Sequence, residues 1–287
     1  MPPGLNQRLA DRLREAADLL QQQGANPFRV TAYRRAADTI AGLTQDLRDL
    51  IAQAGVEGLT ELPSVGRGIA AALAELVHTG RWAQLERLRG TLDPVRVFRS
   101  VPGIGRELAQ RIHDTLHVDT LAALEVAAHD GRLEQVPGVG PRRVAALRAS
   151  LAAMLGSVNA PRTSTANAPA VALLLDVDRE YRTLAQTGRL PTIAPRRFNP
   201  KNEAWLPVLH TSRGDWHFSA MYSNTARAHE LERTHDWVVV YSYDDHHQEH
   251  QHTVVTETRG PLAGKRVVRG RDAESRRYYA DTVSPMA

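Results

Sequence analysis

The chain contains no cysteine, and its 36 basic residues include only two lysines, Lys201 and Lys265. Without cysteine there are no disulfide staples, no thiolate catalysis and no cysteine-ligated zinc, and a cytoplasmic location is favoured. No apolar run approaches the roughly 20 residues of a membrane helix, so no membrane partner is expected. The segment Met1 to Leu20 places Leu5, Leu9, Leu13, Ala16, Ala17 and Leu20 on one helical face with arginine and acid between them, unlike the apolar centre of a signal peptide. A large excess of one charge is also missing. The net charge is +4, so any nucleic-acid surface must come from where the basic residues sit.

The composition, 42% hydrophobic and 24% charged over 287 residues, is globular and leaves room for two ordinary domains. Residues 156–169, GSVNAPRTSTANAP, have no apolar period and read as a linker. Before it, stretches such as LADRLREAADLLQQQ, GIAAALAELVHTG and RRVAALRASLAAML repeat apolar residues at helical spacing. After it, AVALLLDV, AWLPVLHT, DWHFSAMY, DWVVVYSY and HTVVTET read as strands, with TARAHELER as a helix. The expected fold class is therefore α+β multidomain: an all-α half, then a small antiparallel-sheet α+β domain over 170–287.

One pattern recurs three times. LPSVGRGIA from Leu62, VPGIGRELA from Val101 and VPGVGPRRVA from Val136 each run apolar-Pro-x-apolar-Gly into a helix, and Pro63, Pro102 and Pro137 lie 39 and 35 residues apart. This is the spacing of tandem helix-hairpin-helix units. Gly66, Gly68, Gly103, Gly105, Gly138 and Gly140 let the backbone turn tightly and leave room for a phosphate before a helix whose free N–H groups and dipole favour an anion. Arg67, Arg106, Arg142 and Arg143 follow and can add charged contacts. Such contacts grip the DNA backbone without reading sequence, and several on one chain reinforce one another. Plain helix connections are the competing explanation for a single copy, and three copies weigh against it.

These hairpins, with NPFRVTAYRRAADTI over residues 26–40 and ELPSVGRGIAAALAELVHTGRWAQLERLR over 61–89, make the first 155 residues resemble the N-terminal region of family X DNA polymerases. The resemblance implies a small helical domain over 1–90 that holds the 5′ side of a DNA gap, and further hairpin modules over 91–155. It also implies that Tyr33, Arg34 and Arg35 line a 5′-phosphate pocket, against the alternative that Tyr33 is core and the arginines are surface. A monovalent cation held by the carbonyls of Leu62 and Val65, or Val101 and Ile104, is implied too.

Two features depart from that family. Its lyase-competent members attack an abasic sugar with a lysine in the helix after the first hairpin; here that helix begins Gly68-Ile69-Ala70-Ala71-Ala72-Leu73 and has none. Arginine cannot replace it, because its guanidinium stays protonated. For two-metal nucleotidyl transfer, Asp176 and Asp178 supply an Asp-x-Asp at an expected strand end and Asp236 opens another strand, yet no Gly-Ser element precedes them. An acid-rich strand end with a structural role is the alternative.

Over 170–287, DDHHQEHQH brings Asp244, Asp245, His246 and His250 close in sequence, as a polar hairpin loop or a metal site. Arg196-Arg197-Phe198, Lys265-Arg266, Arg269-Gly270-Arg271 and Arg276-Arg277-Tyr278-Tyr279 suit either a single strand or a solvated surface. The leading expectation is a non-polymerase protein that binds gapped, nicked or duplex DNA in repair and needs no cofactor, with a protein partner or extra DNA contact through its C-terminal domain. The rival is a magnesium-dependent nuclease or nucleotidyltransferase using Asp176 and Asp178.

Overall fold

The computed structural model describes residues 4–155, 168–243 and 249–283. Most of the expected linker, together with Asp244, Asp245 and His246, lies outside the described residues.

The chain opens with helices α1 (Leu5–Gln22), α2 (Pro27–Ala41), α3 (Leu47–Ala54), α4 (Arg67–Thr79) and α5 (Ala83–Leu88), with a 3-10 turn over Glu57–Glu61. Sequence marks their ends: Asn26 and Asp46 cap α2 and α3 by accepting from Phe28 and Arg48 N–H, and Gly80 closes α4 in the left-handed conformation. Their apolar stripes meet in one core around Leu13, Leu20, Ile40, Leu47, Leu59 and Leu73. A second core, around Phe98, Ile112, Leu121, Leu124 and Leu147, joins α6 (Pro94–Phe98), α7 (Arg106–Leu116), α8 (Leu121–His129) and α9 (Pro141–Leu155), with a 3-10 turn over Arg132–Gln135.

The rest is an antiparallel meander of six strands in sequence order: β1 (Thr192–Ile193), β2 (Leu206–Arg213), β3 (Trp216–Tyr222), β4 (Val238–Tyr243), β5 (His250–Thr256) and β6 (Arg266–Val268). Helix α10 (Val171–Gln186) precedes the sheet, α11 (Ala226–Glu230) joins β3 to β4, and α12 (Asp272–Val283) follows β6. The expected strand AVALLLDV is in fact the start of α10. A short apolar run fits a buried strand or helix equally, and the deciding signal lies downstream: Val171, Leu174, Leu175, Asp178 and Tyr181 all fall on one buried helical face.

Pairing of Val240 with Ala220 and of Val238 with Val254 puts these residues on the face that packs against α10. The opposite face carries Met221, Val239, Tyr241, Tyr243 and His210, and it lies against the helical half. Every residue of β4 is buried, which accounts for VVVYSY being continuously apolar rather than alternating.

Candidate nucleic-acid interface

All three repeat loops share one geometry. The residue after proline has positive φ, at 63° for Ser64, 86° for Gly103 and 83° for Gly138. A hydrogen bond closes each turn: Val65 N–H to Leu62 O (3.1 Å), Ile104 N–H to Val101 O (3.1 Å) and Val139 N–H to Val136 O (3.0 Å). Proline second, positive φ third and a bond from first to fourth residue define a type II turn. The buried side chains of Val65, Ile104 and Val139 anchor the loops in the cores, while the prolines and Arg67, Arg106, Arg142 and Arg143 stay exposed.

The need for glycine thus falls one step after proline, not at the glycine before the helix. Gly66 and Gly105 are extended, with φ of −78° and −79°, and a Cβ on Gly105 or Gly140 would meet nothing within 4 Å. Nothing in the fold requires a missing side chain at Gly105 or Gly140. The carbonyls of Gly66, Gly105 and Gly140 accept the first helical bonds, from Ala70, Ala109 and Val144. Neither α4 nor α7 has a side-chain cap, so their first-turn N–H groups lack a partner from the cap residue. At the second hairpin the open space at Gly105, the uncapped first-turn N–H groups of α7 and the exposed Arg106 occur together, a combination that favours an anion.

The third hairpin differs in detail. Arg143 Nη1 donates to Gly138 O at 2.9 Å and braces its own loop. The exposed Arg111 of α7 lies against the same turn, with its Nη1 only 3.4 Å from where a Gly138 Cβ would stand. Sequence reasoning had no signal for Arg111, because it belongs to the preceding hairpin's helix.

Tyr33, Arg34 and Arg35 do not converge. Tyr33 is buried at 7% exposure against Trp82, and its hydroxyl donates to Gln84. Arg34 turns back to α1, donating to Asp18 (2.9 Å) and Gln21 (2.6 Å), and Arg35 is exposed. Arg29, one turn before Tyr33, lies over the ring of Tyr243 at 4.3 Å and so meets the sheet.

The acids do not form a metal platform. Asp176 and Asp178 sit on α10, not at a strand end, and residues two apart on a helix face nearly opposite ways. Asp176 accepts from Arg213 Nε (2.8 Å) and Arg179 at the surface. Asp178 is buried and accepts from Arg266, which also donates to Asp236 Oδ1 (2.7 Å) and O (2.8 Å), to Thr256 and to Val254 O. Arg266 therefore stands between two of the three candidate carboxylates. Among the described residues no cluster of three acids or histidines is placed to hold a metal, and His250 opens β5 opposite Ser242. Arg266 is thus partly buried and tied to acids within the fold rather than part of a free basic surface, and Arg271 pairs with Glu274 and donates to Pro169 O.

Where the sheet meets the helices, charges are buried. Arg87, 5% exposed, donates to both carboxylate oxygens of Glu249 and lies 3.6 Å over the ring of Tyr241. Asp119 accepts from Tyr241 (2.8 Å), Gln251 (3.0 Å) and His113 (3.0 Å). Burial alone would depress His113, but its bonds to Asp114 and Asp119 lift its pKa to about 9. Gln23 at the end of α1 pairs with His210, whose burial beside Arg29 and Arg87 pushes its pKa down to about 3. Gly90 (φ 72°) lies beneath the chain at Ala194, where a Cβ would stand 2.7 Å from the carbonyl oxygen, and it accepts from Arg196 N–H.

These loops make the first half a set of helix-hairpin-helix units. A model described as a helix-hairpin-helix domain matches residues 4–82, and one described as a SAM-like helix-hairpin-helix tandem matches 95–153. The chain is also similar to DNA polymerase/3′-5′ exonuclease PolX of Bacillus subtilis (strain 168), with 27% identity over 131 residues. That match covers 45% of this chain and 22% of the relative, so the chain spans about a fifth of that protein's length. The resemblance of the first half to family X DNA polymerases is thus shown. Among the described residues no helix is long and apolar enough to cross a membrane.

Proposed function

We propose that this protein binds DNA through the backbone, with its three hairpin loops receiving phosphates, and that it acts in repair at gaps, nicks or ends. The observation that carries this reading is the open space before the helices at Gly105 and Gly140, beside exposed arginines. Matches to helix-hairpin-helix models and to a DNA polymerase support it. Gly66, Gly68, Gly103, Gly105, Gly138 and Gly140 shape the seats, and Arg67, Arg106 and Arg142 supply the charge. Arg143 holds its own loop and contributes by bracing, and Arg111 joins the third seat. A monovalent cation would take the carbonyls of Leu62 and Val65 or of Val101 and Ile104. The Leu62 and Val101 oxygens each keep a lone pair beyond the turn bond.

The test is fluorescence anisotropy of the full chain on duplex, nicked, gapped and single-stranded DNA at several salt concentrations. The same mixtures with magnesium and nucleotides are run on a gel. Salt-sensitive binding, with a log-log slope of about −0.9 per phosphate neutralised and unchanged DNA length, supports the reading. Absence of binding, or extension or cleavage of the DNA, overturns it.

A further inference from the structure

A partly open cleft, about 550 Å³ when the space open to solvent is counted, lies between the helical half and the sheet. Leu92 and Pro94 form one wall, and Leu206, Met221 and Val239 form the other. Arg87, His113, Asp119 and Tyr241 also line it, and their charges are already matched: Arg87 by Glu249, His113 by Asp119. The half-buried Arg197 is different. It lines the same cleft and has no ion-pair partner among the described residues. Ser223, nearly fully buried, bonds only to the hydroxyl of Thr225 (3.2 Å) through its side chain and retains hydrogen-bonding capacity. The result is an apolar slot with a spare hydroxyl and one cation that lacks a carboxylate, its guanidinium 5.2 Å over the Phe198 ring.

The chain beside Arg197 extends this chemistry. Phe198 is 47% exposed and holds a positive φ of 53°, which is costly for a side chain of its size. Its ring lies on His229 with centroids 4.4 Å apart. Burial and the nearby Arg197 depress the His229 pKa, so that ring is an uncharged platform. The platform is fixed to the Arg197 segment, because Asn224 bonds His229 Nε2 (2.6 Å) and donates to Arg197 O (3.0 Å).

We propose that the cleft receives a nucleotide, its base in the apolar slot and its phosphate on Arg197, with the base of an adjoining nucleotide stacking on Phe198. A simple aliphatic anion would use the slot and the arginine but leave the aromatic platform without a role. The ligand is either a free nucleoside monophosphate or the terminal nucleotide of a strand. The platform favours the strand, and in that form the inference rests on the DNA-binding reading.

The test has two arms, both on the full chain. Calorimetry with thymidine 5′-monophosphate and with thymidine measures the free nucleotide. Anisotropy compares a blunt duplex with the same duplex bearing a 5′-phosphorylated single-stranded overhang. The monophosphate is expected to bind at least about tenfold more tightly than the nucleoside, and Arg197→Ala should erase that difference. Phe198→Ala should leave monophosphate binding in place and reduce the preference for the overhang by at least about fivefold. Arg67→Ala should weaken the blunt duplex and leave the monophosphate untouched. Binding of the monophosphate without overhang preference would make the free nucleotide the ligand and remove the strand form. If Arg197→Ala, still folded by circular dichroism, binds the nucleotide as the parent does, the inference is overturned. It is overturned as well if neither arm detects a nucleotide while the blunt duplex binds, and in that case the DNA-binding reading survives. Failure of the duplex alone sinks the DNA-binding reading instead.

Discussion

Arg266 donates two parallel hydrogen bonds to Asp178, from Nε to Oδ2 at 2.9 Å and from Nη2 to Oδ1 at 2.6 Å, across 88 positions of sequence. A carboxylate that sequence suggests for metal binding is thereby committed to an arginine that also holds Asp236.

Asp178→Ala is expected to destabilise the protein by about 3 kcal/mol, because it leaves the largely enclosed Arg266 half-paired. Asp176→Ala, which removes two surface ion pairs, with Arg179 and Arg213, should cost about 1 kcal/mol or less. Urea unfolding of both variants checks this. Equal costs would contradict the division of roles.

The loop positions separate folding from binding. Gly103→Ala forces a side chain to φ 86° and should cost about 1 kcal/mol in thermal unfolding. Ser64→Gly should gain about as much, since serine already holds φ 63°. Gly105→Ala should leave stability within about 0.5 kcal/mol or raise it slightly, yet weaken DNA severalfold by crowding the incoming phosphate. A Gly105→Ala protein with unchanged DNA affinity would speak against the phosphate seat.

Arg106→Ala and Arg142→Ala are each expected to weaken all DNA forms alike and to lower the salt slope by about 0.9. A change confined to one base sequence would mean that these arginines read bases.

Glu75 offers a pH signature. Burial, reinforced by Glu249 and Glu86, raises its pKa from 4.5 to about 8, although Ala83 N–H donates to it. The folded protein therefore holds this proton more tightly than the unfolded chain. The contribution is complete below pH 4.5 and is lost as pH rises through 8. Glu75→Gln keeps the acceptor for Ala83 and should raise stability at pH 9 by at least about 1 kcal/mol while changing little at pH 4. Denaturant midpoints at the two pH values decide it.

Glu249→Ala should cost about 3 kcal/mol by leaving Arg87 buried without a counter-charge. Arg87→Met with Glu249→Leu should restore most of that loss, because a well-packed apolar pair avoids the desolvation of both ions. Calorimetric melting of the single and double variants is the measurement.

Most of the helical half was legible because its apolar residues recur at i, i+3 and i+4 and several of its helices start at a capping Asn, Asp or Thr. The repeats were legible as well, since proline and glycine mark a turn locally. The meaning of each glycine was not: Gly105 and Gly103 look alike in sequence, and only φ separates the one the turn needs from the one it does not. The unbroken apolar run of β4 marks a strand and, in the same residues, its burial on both faces. Pairings such as Arg87 with Glu249, 162 positions apart, leave no periodic trace, so sequence leaves Asp178 open between metal ligand and structural acid, and Arg266 between strand-binding and solvated surface. Tyr33 shows the opposite limit, because its matching segment is present while its ring faces the core.

Gly90 carries a consequence for inheritance. The strand-bearing part can rest on these helices only where a residue with no side chain lies beneath Ala194. A gene-shuffling event that joined this C-terminal segment to another hairpin module would therefore have to bring that glycine with it, or lose the seam between the two parts.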